Sequence, residues 1–438
     1  MPNNLRPSNF ARRTSNFQTS GLNPSRTEFP NGAVLIAKQT RTIPAVTINL
    51  GIRSGSVCDP ADAPGAMHLL ARVIDRGTLS RSADSVAEDL DNRGITLTIG
   101  VTRHLFSLAC TCLAEDFETV FALLGDIVRS PAVADSELAT RKAEVITAIR
   151  QDDDSPAVRA VETLMAQLYP VHPYGQRSKG TPDVVERLTR ERLLAVHAEQ
   201  FAPGQLTAIV VGDIAIERAT DTAARVFGDW FAPAPSAIVV PPVTHASSRT
   251  RLVVPMPGKA QADIAYGFTA VARSDPAYYA ASLMNNIFGQ YSMGGRLGDN
   301  IRERQGMAYY VFSSLDANVA EGPLTVRAGV SAENVDRALA AIDDEVGRLA
   351  REGATAQELA ESQQYLIGSM LRALETNAAI AVFLQSAEFF GLGLDFDVRL
   401  PEHLRAVTLD EVNETARRLL DPERATVVIA GPLVDSRL

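Results

Sequence analysis

The 438-residue sequence has only three cysteines, one tryptophan and six histidines, and each scarcity closes off a class of protein. Cys58, Cys110 and Cys112 are too few and too unevenly spaced for a disulfide framework or a cysteine-based zinc site. Cys110 and Cys112 lie two apart in "FSLACTCL", which alternates like a strand, so they read as sheet-face thiols. Such usage fits a reducing compartment. An excess of basic residues is also missing: 42 Lys and Arg against 52 Asp and Glu give a net charge of −10, with no basic stripe to neutralise phosphates, which argues against nucleic acid as a partner. No run of 18 apolar residues exists, so no segment reads as a membrane span.

What is present is globular. Hydrophobic residues make up 46% and charged residues 21%, as in chains that bury a core. A single core stops growing near about 250 to 300 residues, so this length predicts two domains. The first 28 residues are polar and lack an apolar signal-like region, and read as an arm. On that reading the chain is expected in the cytoplasm, or in the periplasm if a leader had been removed.

An internal repeat supports the two-domain expectation. Residues 188–214, "LTRERLLAVHAEQFAPGQLTAIVVGDI", align without a gap on 407–433, "VTLDEVNETARRLLDPERATVVIAGPL", with Thr189 on Thr408, Pro203 on Pro422 and Gly212 on Gly431. Upstream, "LAEDFETVFALLGDIV" ending at Val128 aligns on "SAENVDRALAAIDDEV" ending at Val346. Two copies this long are a duplicated domain rather than a solenoid unit. Each copy reads as hairpin, helix, strand pair, a run of helices and a closing apolar strand, which makes the fold class α+β with mainly antiparallel sheets against helices. The expected boundaries are a first domain at 29–230, a proline-rich linker at 231–248 and a second domain at 249–438.

Three stretches carry a resemblance to a known family. They are "FPNGAVLIAKQTRTIPAVTINLGIRSGSVCDP", "HPYGQRSKGTPDVVERLTRERLLAVHAEQFAPGQLTAIVVGD" and "GGRLGDNIRERQGMAYYVFSS". In order and at this spacing the chain resembles the M16 (pitrilysin-like, insulinase-like) zinc peptidases in their short-subunit form. By that likeness Asn31-Gly32 is the turn of the opening hairpin and Gly51 to Val57 its second strand.

The resemblance also exposes a loss. "GAMHLLARVIDRGT", residues 65–78, has the flanks of the family's zinc helix, G-x-x-H-x-x-E-H. Two His at i and i+4 with Glu between them would give two ligands and a general base, with a third ligand from a downstream Glu. Here His68 remains, Ala71 stands for the base and Arg72 for the second ligand, and Thr147-Ala148 stand where similar chains show a Glu pair. A guanidinium has no lone pair to give and repels a dication. Glu144 lies one turn before the expected third ligand, and the other histidines, His104, His172, His197, His245 and His403, show no metal spacing. The expectation is a degenerate site that holds no metal.

The second half keeps more. Resemblance implies that an Arg and a Tyr seven residues apart reach peptide substrate from the second domain, and Arg302 and Tyr309 in "IRERQGMAY" have that spacing. A phenol can donate to a developing oxyanion, and an Arg fork can hold peptide carbonyls. Read without the resemblance, Arg302 is a solvent-facing helix residue and Tyr309 the start of a core strand. The turn Gly294, Gly295, Arg296 is a weaker candidate for a loop bordering substrate; it matches neither a P-loop nor a dinucleotide fingerprint. The pattern implies a non-catalytic subunit that binds no cofactor itself. Its expected partners are a zinc-bearing M16 subunit with H-x-x-E-H and an extended peptide added as a strand. The alternative is a structural or peptide-binding M16-like protein with no part in proteolysis.

Overall fold

The structure, a computed structural model, describes residues 21–235, 240–290 and 295–433. The first half contributes β1 (Ser25–Glu28), β2 (Val34–Gln39), β3 (Ala45–Ile52), β4 (Thr98–Val101), β5 (Phe106–Leu113) and β6 (Leu206–Gly212). They form one sheet in the order β1-β2-β6-β3-β5-β4. Its helices are α1 (Ala66–Val73), α2 (Ala83–Asp91), α3 (Phe117–Arg129), α4 (Asp135–Asp153), α5 (Pro156–Leu168), α6 (Pro182–Arg187), α7 (Arg190–Gln200) and α8 (Ile216–Phe227).

The second half contributes β7 (Thr250–Pro255), β8 (Gln261–Thr269), β9 (Ala308–Leu315), β10 (Pro323–Ser331) and β11 (Thr426–Gly431) in the order β7-β11-β8-β10-β9. Its helices are α9 (Tyr278–Asn285), α10 (Val335–Glu352), α11 (Ala356–Ala373), α12 (Asn377–Phe389), α13 (Phe396–Ala406) and α14 (Leu409–Leu419), with a short helix at Gly298–Arg304 before β9. Among the described residues no single helix is long and apolar enough to cross a membrane.

The repeat is visible as geometry. Thr189 caps α7 by accepting from the Arg192 N–H, and Thr408 caps α14 by accepting from the Glu411 N–H. These side-chain oxygens satisfy first-turn donors that helical bonding leaves open. Cys110 and Cys112 sit on the buried face of β5, whose alternation is the one read from the sequence, and burial pushes both thiols up to about 12.

Three details differ from the sequence reading. β1 pairs with β2, so residues 25–28 of the expected arm are an edge strand of the first sheet. The strand expected at 51–57 is β3, which ends at Ile52. Beyond it the chain turns, and the Ser56 and Val57 N–H groups donate instead to the carbonyls of Thr102 and Arg103. β2 and β3 are also not neighbours, because β6 lies between them, parallel to β2 and antiparallel to β3.

One helix of each half crosses to the other. α5 and α12 are both 13 residues long and occupy the same place in the repeat. α5 lays Ala160, Leu164, Met165 and Leu168 against Ala265, Val428 and Ala430 of the second sheet. α12 lays Ile380, Ala381 and Leu384 against Val34, Ile36, Ile209 and Val211 of the first. Each sheet therefore has its own helices on one face and the other domain's helix on the second. Fully burying one leucine side chain contributes about 1.5 to 3 kcal/mol, so the exchange couples the halves strongly.

Candidate functional site

α1 begins at Gly65, whose φ of +93° lies in the left-handed region and whose Cα faces the Lys179 carbonyl so closely that an added Cβ would come within 2.6 Å. Only glycine suits both conditions. Asp59 closes the helix start, accepting from the Gly65 and Met67 N–H groups at 2.8 Å each. Ala66, Met67, Leu69, Leu70, Ala71 and Val73 are buried, which leaves His68 and Arg72, one turn apart, on the remaining face.

That face meets α4. The Arg72 guanidinium lies 3.6 Å from Glu144, which Arg141 also holds at 2.6 Å. Thr147 turns its hydroxyl back onto the Ala143 carbonyl, and Ala148 offers no donor atom. His68 is pushed down to about 4 by burial, with Lys179 and Arg72 adding to the effect, so its ring is neutral at ordinary pH. The residues do not fit a zinc ion: one imidazole faces a guanidinium across the helix turn where a second ligand would be needed. Among the described residues no three His, Cys, Asp or Glu side chains gather where a metal could be held.

The chain between Arg302 and Tyr309 makes a tight reversal. The Gly306 N–H donates to the Arg302 carbonyl and the Met307 N–H to the Ile301 carbonyl, folding the start of β9 back on the helix that bears Arg302. Arg302 is partly exposed, with its Nε 3.6 Å from the neighbouring Glu303. Tyr309 is 78% exposed and is not a core residue. β9 is the free edge of its sheet, and along it Tyr310 faces Gly329 while Ala308 faces Val330, so Tyr309 is the extra residue of a bulge. Bulges at sheet edges re-aim side chains, here a phenol into solvent. Tyr310 points elsewhere: its hydroxyl donates to Asp263, and burial pushes its own ionisation up.

Of the glycine turn, Gly294 lies outside the described residues. Gly295 is buried against the Phe288–Gly289 backbone, where a Cβ would meet the Gly289 Cα at 2.7 Å. Arg296 is 12% exposed and grips Glu358 with two bonds, at 2.7 and 2.8 Å, while also donating to the Gly353 carbonyl. Burial alone would raise the Glu358 carboxyl, but Arg296 and Thr355 outweigh it and hold it at about 2. Gly295 and Arg296 thus seat the helix that carries Arg302.

Sequence reading missed a cavity of about 740 Å³ among the described residues, lined by the exchanged helices α5 and α12 and the open face of β3, β4 and β5. The only signal was the matched pair of 13-residue helices at equivalent repeat positions.

Two family models cover most of the chain: Insulinase (Peptidase family M16) at 34–181 and Peptidase M16 inactive domain at 187–366. The chain belongs to the M16 peptidase family. Among M16 relatives, YmxG of Bacillus subtilis, named an uncharacterized zinc protease, is 25% identical over 401 residues, 91% of this chain and 96% of that one. A Helicobacter pylori protein named a non-peptidase homolog is 22% identical, covering 87% of each chain. The crystal structure of a peptidase M16 inactive domain from Pseudomonas fluorescens superposes with a TM-score of 0.87 at 24% identity, over 95% of this chain and 99% of that one. The two-domain α+β architecture is that of these M16 proteins, and with the general base and all but one of the zinc ligands replaced this chain is of the inactive type.

Proposed function

We propose that this chain is the non-catalytic subunit of a heterodimeric M16 peptidase, presenting Arg302 and Tyr309 to a peptide held by a second subunit that carries the zinc and H-x-x-E-H. The observation that carries the reading is the exposed phenol of Tyr309 on an edge-strand bulge beside the helix of Arg302, in a chain whose own zinc helix has an arginine for a ligand. An exposed phenol donates one hydrogen bond to a developing oxyanion, worth about 10²- to 10³-fold in turnover for one such donor. Arg302 holds peptide carbonyls through its planar fork. The partner's zinc supplies the Lewis acid and activated water. Gly295 and Arg296 act by seating the Arg302 helix. The test is to combine the purified chain with zinc-bearing M16 proteins of the same source and measure peptide cleavage, expecting activity from the pair and none from this chain alone.

The likeness to the Helicobacter pylori non-peptidase homolog favours a second reading, in which the M16 fold binds peptide or serves as architecture without proteolysis. No mixture would then cleave peptide in a way that depends on Tyr309.

A further inference from the structure

The cavity between the two domains has walls of three kinds. Val101, Leu105, Met165, Val382 and Phe389 make it largely apolar. Its charged residues are matched: Arg103 lies 2.7 Å from Asp316, and Arg177 lies 3.0 Å from Glu162. The wall therefore presents no unbalanced charge to a ligand.

The third kind is uncharged and polar, and includes two buried carboxamides, Asn49 on β3 and Gln385 on α12, which are 5% and 4% exposed and border the cavity. Asn49 Oδ1 and Gln385 Oε1 find no protein donor. A buried acceptor left without a partner costs about 1 to 3 kcal/mol, and two beside one cavity are unusual in a packed core. Gly51, on the same face of β3 two residues from Asn49, makes room for Gln385: a Cβ at that position would lie 2.5 Å from Gln385 Oε1. The sheet is thus shaped to let a carboxamide from the other domain rest on it.

We infer that this cavity binds an uncharged, apolar peptide segment, with the carboxamides of Asn49 and Gln385 reading its backbone amides. A carboxamide presents one acceptor and two donors, which match the N–H and C=O of a peptide edge. The apolar walls take bulky side chains, and the volume suits a ligand of two or three residues. The site shares a peptide ligand with the function proposed above but needs neither a partner subunit nor Arg302 and Tyr309, so the two stand or fall separately.

The test is calorimetric titration of the isolated full chain with N-acetyl-leucyl-phenylalanine amide, and with N-acetyl-aspartyl-glutamate amide as the charged control. The expected result is saturable one-to-one binding of the apolar probe with Kd at or below about 1 mM, and at least about tenfold weaker binding of the charged one. Asn49→Leu and Gln385→Leu should each weaken binding by about tenfold, the scale of one buried hydrogen bond, while leaving the melting temperature unchanged or higher. A merely structural pair would lower it. Val382 is 62% exposed at the cavity wall, so Val382→Trp should fold normally and abolish binding by filling the space. Absence of saturable binding, or binding unchanged in Val382→Trp and both carboxamide variants, would overturn the inference.

Discussion

Leu164→Ala tests whether the exchanged helices hold the two domains together. Leu164 belongs to the first half by sequence, is fully buried, and lies over the second sheet: a Cβ added at Gly267 of β8 would come 2.9 Å from its Cδ2. Trimming it leaves a cavity between α5 and a β-sheet backbone that cannot collapse into it, so the cost should lie within the range of about 2 to 5 kcal/mol seen for buried Leu→Ala changes. In native-state hydrogen exchange that corresponds to about 30-fold or more faster exchange wherever opening exposes the site. The amides expected to lose protection are those of β8 and β11, more than 90 positions away in sequence from the substitution. If protection fell only in β3 and β6 of the residue's own half while β8 and β11 were unchanged, the helix exchange would carry no energetic weight and the domains would be independent.

Two further outcomes follow from the degenerate zinc helix and from a buried ring. The double variant Ala71→Glu, Arg72→His should still hold no stoichiometric zinc after dialysis, because α4 supplies Thr147 and Ala148 where a third ligand is needed; elemental analysis giving one zinc per chain would contradict this. His104, whose ring lies 2.6 Å from the Tyr174 hydroxyl, is pushed down to about 4 by burial, with Arg103 adding to it. Its folded value lies below the usual 6.5, so the unfolded chain binds more protons between those limits. The stability it contributes is fully present above about pH 6.5 and is lost as pH falls toward 4; His104→Gln should flatten the fall of the denaturation midpoint across that window, and an unchanged slope would refute the assignment.

Much of the fold is legible in the sequence because its signals are local. Thr189 and Thr408 cap equivalent helices, Pro203 and Pro422 open equivalent turns, and β6 and β11 close equivalent sheets, all from side-chain chemistry within a few residues. The alternation of β5 reads directly for the same reason. The path of α5 and α12 does not, since an apolar stripe states only that a helix is covered, and each stripe is completed by a sheet from the other half of the chain. β3 ends at Ile52 rather than at Val57 because Ser56 and Val57 find backbone partners at Thr102 and Arg103, a contact between distant segments. At the candidate site, the loss of zinc ligands is plain in the residue types themselves. The exposure of Tyr309 is not, because "AYYVFSS" opens with a continuous apolar run as a buried strand would, and the bulge against β10 turns that one side chain outward.

The most direct measurement of the central claim is turnover by a reconstituted heterodimer with Tyr309→Phe in this chain, read beside Tyr310→Phe. Tyr309 is exposed on the bulge, whereas the Tyr310 hydroxyl is committed to Asp263, so the two adjacent phenols make an internal comparison. Losing the Tyr309 hydroxyl should lower kcat by one to three orders of magnitude, about the scale of one oxyanion donor, with KM nearly unchanged. Arg302→Ala in the same assay should mainly raise KM. Tyr310→Phe should leave kcat close to the parent value. Equal and negligible effects of Tyr309→Phe and Tyr310→Phe on turnover, in a heterodimer shown to be assembled, would contradict the assignment of Tyr309 to substrate chemistry in trans.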